Sequence, residues 1–176
     1  MSTPPLPPRS GWPVVVELST PLAAPAPAVW ARVTTPEGIR DELRPWVGMT
    51  MPPGLRGRSL NDAPQVLGRP LGKAWLLLLR VLPVDFDDMT LVGFVEGRSF
   101  HERSRMLTLT RWEHERSVVP AEAAAGGCVV TDRLTAVARA PLGRLPGAPA
   151  AVRMLVTALF RHRHRRLLRR FGALPG

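Results

Sequence analysis

The chain has 176 residues, 45% of them hydrophobic and 22% charged, which suits one folded domain with its own core and excludes a disordered chain. Its longest strongly apolar stretch, Ala74 to Leu79, stops at Arg80, far short of the roughly 20 residues a membrane helix needs. A single cysteine, Cys128, excludes an internal disulfide and a multi-cysteine zinc site.

Taken in chain order, residues 1–12 are proline-rich without periodicity and predict a loose leader. They lack the basic start and apolar block of a secretory signal, so the expectation is a cytoplasmic protein, with one domain over residues 13–172. Pro13 to Thr20 is β-branched and short, the profile of a strand. Prolines 21, 25 and 27 interrupt regular structure, and a short helix follows with Val29, Trp30 and Val33 on one side. Thr35 suits an N-cap, Pro36 the first helical position and Glu37 the positive end of the helix dipole. Ile39 and Leu43 share a face of this second helix, and Pro45 ends it. Residues 52–72 are rich in Gly and Pro and predict a long loop, preceded by a strand at 47–51. Segments 74–82, 89–96, 98–106, 111–119 and 127–138 read as strands, with turns expected at Asp85 to Asp88, at Glu96-Gly97 and over 121–127. Residues 150–171 form the strongest helix pattern, an apolar arc of Val152, Leu155, Val156, Leu159, Phe160, Leu167, Leu168 and Phe171 closed by Gly172.

This order, and the segment 24–46 in particular, resembles the START-related, polyketide-cyclase-like (SRPBCC) superfamily. Val29, Trp30, Thr35, Pro36, Ile39 and Trp46 fill the places of the family's "P-x-x-V-W" helix, "S/T-x-P-x-x-I" helix and following tryptophan. The resemblance spans roughly residues 13 to 172. It implies an α+β helix-grip fold, a curved antiparallel sheet wrapped around a long C-terminal helix, with two short helices after the first strand. It further implies a cavity between sheet and helix for an apolar or aromatic small molecule. No catalytic motif is common to the family, so none is carried over, and fold alone does not give function.

Strand parity supplies a reading from the residues themselves. Along 100–106 and 112–118, even positions carry the apolar Phe100, Met106, Trp112 and Val118, so the even face points to helix and cavity. The odd positions, His101, Arg103 and Arg105 against Glu113 and Glu115, form an outer ladder of opposite charges. The even face also carries Glu102, His114 and Arg116, and parity adds Asp132 from the next strand. Pairing that keeps both apolar faces inward sets Glu102 against His114. Buried charges are costly unless paired, which leaves three readings open. The first is a self-satisfied network, with Arg163 of the terminal helix pairing Glu102 or Asp132. The second is orientation of a ligand's polar group. The third is acid–base catalysis with His114 as the proton carrier and Glu102 or Asp132 orienting it.

Parity also assigns cavity walls to Trp75, Leu77, Leu79, Phe94, Phe100, Trp112, Leu134, Leu155 and Leu159, with Arg116 and Arg163 as polar contacts. The leading functional expectation is non-catalytic binding of a small hydrophobic or amphipathic molecule: a lipid, a polyketide or an aromatic metabolite. The alternative within the same cavity is a cyclase- or dehydratase-type enzyme. No cofactor is implied, and no metal: Asp85, Asp87 and Asp88 lack the ligand number of a calcium loop, and His162 and His164 point in different directions on a helix.

Charge adds a third expectation. Basic residues number 24 against 14 acidic, a net of +10, and Lys73 is the only lysine. Arg161, Arg163, Arg165, Arg166, Arg169 and Arg170 crowd the terminal helix, where Arg161, Arg165 and Arg169 recur every four residues on the outer face. Such a face attracts polyanions. Without an interleaved aromatic platform the pattern argues against nucleic acid, and peripheral contact with an anionic membrane stays open.

Overall fold

The computed structural model describes residues 11–56, 59–61, 67–122 and 126–174. Most of the expected leader, residues 1–10, lies outside the described residues, as do parts of the expected loops at 52–72 and 121–127. Gly11 is not loose: it is buried, and its N–H donates to Ala138 O at 3.2 Å.

Alternating burial builds the first strand, β1 (Val14–Leu22), with Val14, Val16 and Leu22 inward. It runs through Pro21, which the sequence had placed in a break. Two helices follow, α1 (Ala26–Val33) and α2 (Pro36–Leu43). Thr35 caps α2, its Oγ1 accepting from the Gly38 N–H at 3.1 Å. Gly38 is required there, because a Cβ would stand 1.9 Å from Arg32 O at the end of α1. The remaining strands are β2 (Val47–Met49), β3 (Pro70–Leu78), β4 (Leu82–Val95), β5 (Ser99–Met106), β6 (Leu109–Pro120) and β7 (Cys128–Ala138), and the terminal helix is α3 (Ala148–Phe171).

All seven strands pair antiparallel in the order β1-β7-β6-β5-β4-β3-β2, one curved sheet packed on α3. This is the expected α+β helix-grip architecture. Two apolar clusters hold it. One joins Val29, Trp30 and Val33 of α1 to Leu91, Phe100, Val118 and Val130 of the sheet; the other joins Val14, Val16, Trp112 and Leu134 to Val156 and Phe160 of α3.

One expected turn is wrong. Asp85 to Asp88 lie inside β4, and the chain reverses at Leu79 to Val81 instead. Leu79 and Arg80 adopt φ 49° and 69°, a left-handed conformation that costs a non-glycine residue roughly 1–2 kcal/mol. Hydrogen bonds hold it, with Leu79 N–H donating to Trp46 O at 2.8 Å and Arg80 N–H to Leu77 O at 3.1 Å. The acidic run has another use. Asp85 accepts from the Leu107 N–H at 2.6 Å, the Thr108 N–H at 3.2 Å and the Thr108 hydroxyl, and so caps the β5–β6 turn from the neighbouring strand.

Candidate functional site: a cavity with a charged inner end

The sheet does not close completely on α3. Between them lies a cavity of about 750 Å³, whereas voids in a packed interior rarely exceed a water molecule. Phe100, Met106 and Trp112 line it from the sheet, Met49 and Met51 from the segment after α2, and Val152, Leu155, Leu159 and Phe160 from α3. The β6 and β5 residues face it because their even positions turn inward, as the alternation along those strands requires.

Several expected wall residues stand elsewhere. Trp75 is half-exposed on the outer face, its ring 6.0 Å from that of Phe86, and Leu77 does not reach the cavity; Leu76 lines it in their place. The β-bulges in β3, between Pro70 and Gly72 and between Leu76 and Leu77, break the simple alternation. Leu79 sits in the exposed β3–β4 turn. Phe94 packs beside Trp30, at 5.7 Å between ring centroids, and Leu134 is sealed under α3; neither touches the cavity. Phe100, Trp112, Leu155, Leu159 and Arg163 do line it, with Glu102 and His114.

The inner end is a chain of buried ionic bonds. Glu102 is the register partner of His114, and Arg116 that of Asp132. Nδ1 of His114 lies 3.3 Å from Glu102 Oε1 and its Nε2 lies 2.7 Å from Asp132 Oδ1. Arg116 grips Asp132 with two bonds of 2.7 Å and donates from Nη1 to both oxygens of Glu42 at 2.9 and 3.0 Å. Arg163 donates to Glu42 at 2.9 Å rather than to Glu102 or Asp132, the partners the sequence suggested. His164 Nε2 meets Asp132 Oδ2 at 2.9 Å, and its Nδ1 meets the Thr20 hydroxyl at 2.6 Å. Arg116 and Asp132 thus stand behind His114 and do not line the cavity.

Burial disfavours an imidazolium at position 114, but Asp132 and Glu102 override it and hold the His114 pKa above its ordinary value. Asp132 is held well below the usual carboxylate range against its burial, by Arg116 first and His114 second. Glu102 is lowered likewise, its burial outweighed by the His114 hydrogen bond and charge, by Arg163 and by Trp112. Three carboxylates (Glu42, Glu102, Asp132) thus face two arginines (Arg116, Arg163) and His114, whose imidazolium form would balance the buried charge.

Asp87 lies outside that balance. It lines the cavity, 5% exposed, and its Oδ1 is buried without a hydrogen bond. Burial first, then the charges of Glu102 and Asp85, push its pKa up to about 7, only partly opposed by Ser104 and His114. No cation forms an ion pair with it among the described residues.

Sequence reasoning missed Glu42, Asp87 and His164. Glu42 lies three residues after Ile39, on the same side of α2. Asp87 continues the inward parity of Met89 and Leu91, obscured by the expected turn. His164 lies four residues after Phe160 on the inner side of α3. On the outer side Arg161, Arg165 and Arg169 are exposed as expected, while Arg163 turns inward and Arg166 pairs with Asp41 at 2.5 Å. No helix among the described residues is long and apolar enough to cross a membrane.

Solved structures share this architecture. A START superfamily protein from Mycobacterium smegmatis superposes with a TM-score of 0.62 at 17% identity, covering 89% of this chain and 96% of that one. The Zhui aromatase/cyclase from a Streptomyces species gives 0.63 at 14% identity, covering 89% and 92%. Norcoclaurine synthase from Thalictrum flavum gives 0.54 at 12% identity, covering 93% and 98%. At such identities the shared property is the fold alone, a helix grip. No curated protein matches the sequence. The family described as "Domain of unknown function (DUF8410)" matches residues 20–171, from β1 to the last residue of α3, and the chain belongs to that family.

Proposed function

We propose that the protein binds a small hydrophobic or amphipathic molecule between the sheet and α3. The observation that carries this is the cavity itself: about 750 Å³, with mostly apolar walls and, among the described residues, four titratable ones, Asp87, Glu102, His114 and Arg163. That size falls within the roughly 300–1,000 Å³ of small-molecule sites, and such sites combine apolar walls with a few orienting polar groups. Lipid, polyketide and aromatic metabolite all fit this description. The name of one structural neighbour, an aromatase/cyclase, adds support for an aromatic or cyclic occupant.

Acid–base turnover of the bound molecule is the second reading, supported by Glu102 and His114 standing together on the cavity wall. With both ring nitrogens facing carboxylates, His114 is set to donate protons rather than accept them. His114→Ala would abolish such turnover; a purely structural His114 would instead lower stability without a catalytic effect.

Native mass spectrometry of the purified protein tests the binding reading. The expected result is a discrete non-covalent adduct, released on denaturation, or uptake of the neutral fluorophore N-phenylnaphthylamine at one site per chain. A bare apoprotein mass together with no uptake of the fluorophore overturns it.

A further inference from the structure

Among the described residues, one titratable group lining the cavity, Asp87, stands outside the ionic network. Glu102 and His114 are tied to each other, and Arg163 is tied to Glu42 with its guanidinium 4.7 Å over the Phe160 ring. Asp87 reaches the same cavity from β4, and its Oδ1 is buried without a hydrogen-bond partner. A buried polar atom without a partner is expensive, and in a native protein such an atom calls for a function.

We infer that Asp87 is the specificity group of the cavity, its buried carboxyl hydrogen-bonding a carbonyl oxygen of an uncharged apolar ligand. This rests on the ligand-binding reading and adds the functional group the ligand carries. Two observations set that class. An acid kept neutral in an apolar site acts as a donor, so it selects an acceptor oxygen over a hydrocarbon edge. Glu102, anionic and on the next strand, repels a second carboxylate, so a ketone, quinone or ester is favoured over a free acid. The groups facing Asp87 are Glu102 and Ser104 of β5, Asp85 of its own strand, His114 of β6 and, across the cavity, Arg163 of α3.

The discriminating measurement is competition against bound N-phenylnaphthylamine by two molecules of one shape: the methyl ketone of naphthalene, and its isopropenyl analogue with CH2 in place of the oxygen. Naphthoate is the third competitor. In the wild-type protein the ketone should bind about tenfold tighter than the hydrocarbon at about pH 5.5, and the advantage should vanish at about pH 8.5, where the carboxyl is ionised. Naphthoate should bind more weakly than the ketone at both. Asp87→Asn keeps a donor without a charge, so the ketone preference should survive and lose its pH dependence. Asp87→Leu should abolish the preference at both pH values. The readout is a ratio of two affinities, which a general loosening of the fold lowers together.

Equal affinity of ketone and hydrocarbon for the wild-type protein at low pH overturns the inference and leaves the binding reading standing. So does a pH dependence that persists in Asp87→Asn, which would hand the effect to His114 or Glu102. Tighter binding of naphthoate than of the ketone overturns it in favour of pairing with Arg163. Failure of both naphthalenes and of the fluorophore to bind overturns the ligand-binding reading itself.

Discussion

Asparagine at position 87 is nearly isosteric with the carboxyl it replaces and cannot ionise, which makes Asp87→Asn a direct measure of what that charge costs the fold. The folded-state pKa is pushed from 3.8 to about 7, and about three units at ~1.4 kcal/mol each amount to roughly 4 kcal/mol. The sign follows from the direction. A carboxyl whose folded pKa lies above its unfolded value favours the folded state in full below the unfolded value, and that contribution is lost as pH rises towards about 7. Urea unfolding of the two proteins side by side, from about pH 4 to about pH 8, cancels every group they share, His114 included. The variant should gain roughly 4 kcal/mol on the wild type across that range, most of it below pH 7. A difference that stays flat within about 1 kcal/mol would show Asp87 ionising as an ordinary surface acid, and the argument for its neutral, donating form would fall with it.

Glu42→Ala leaves Arg116 and Arg163 facing each other without their shared carboxylate; urea unfolding should show a loss of about 3–5 kcal/mol, the usual consequence of breaking a buried pair. Asp85→Ala frees two backbone N–H groups and a hydroxyl at the β5–β6 turn, and should cost roughly 2–4 kcal/mol in the same assay. His114→Gln removes an imidazole whose pKa is raised above 6.5: wild-type stabilisation is complete below that value and declines as pH climbs through the raised one, so the wild type's advantage should shrink with rising pH, and a flat difference counts against it. Leu159→Trp places a larger ring on the cavity wall and should reduce N-phenylnaphthylamine binding at least tenfold with little change in unfolding midpoint; unchanged binding would move the site elsewhere.

The sequence was most legible where one simple period ran undisturbed. Val29-Trp30-Val33, the Thr35-Pro36 start and the arc of α3 each follow a helical repeat, and β5 and β6 alternate cleanly enough to place Glu102 opposite His114. The parts that did not show are those where a local signal competes with a long-range one. Asp85 to Asp88 carry the composition of a turn, yet Asp85 answers backbone donors 22 and 23 residues away, which local composition does not reveal. Trp75 and Leu77 were placed inward by extending an alternation across strand irregularities that only the pairing discloses. Arg163 was recognisable as an inward charge, but its partner Glu42 is 121 residues earlier, and only the docking of α2 on α3 brings them together.

Bond lengths within the buried set separate what supports the site from what can act in it. Asp132 accepts from His114, from His164 and from Nε and Nη2 of Arg116 at 2.7 to 2.9 Å, so its lone pairs are taken and it offers a ligand nothing. Arg116, fully buried, is held in the same way between Asp132 and Glu42. Towards the cavity the bonds lengthen: Glu102 is held by His114 at 3.3 Å and by Trp112 at 3.4 Å, distances at the weak end for charge-assisted bonds. Asp87, on the neighbouring strand β4, leaves Oδ1 with no bond at all. The network is therefore tight where it joins α2, α3 and β7 and slack at Glu102. Rigid charges behind, and a loosely held carboxylate beside a spare neutral acid in front, are what a site needs in order to fix the polar end of an otherwise apolar guest.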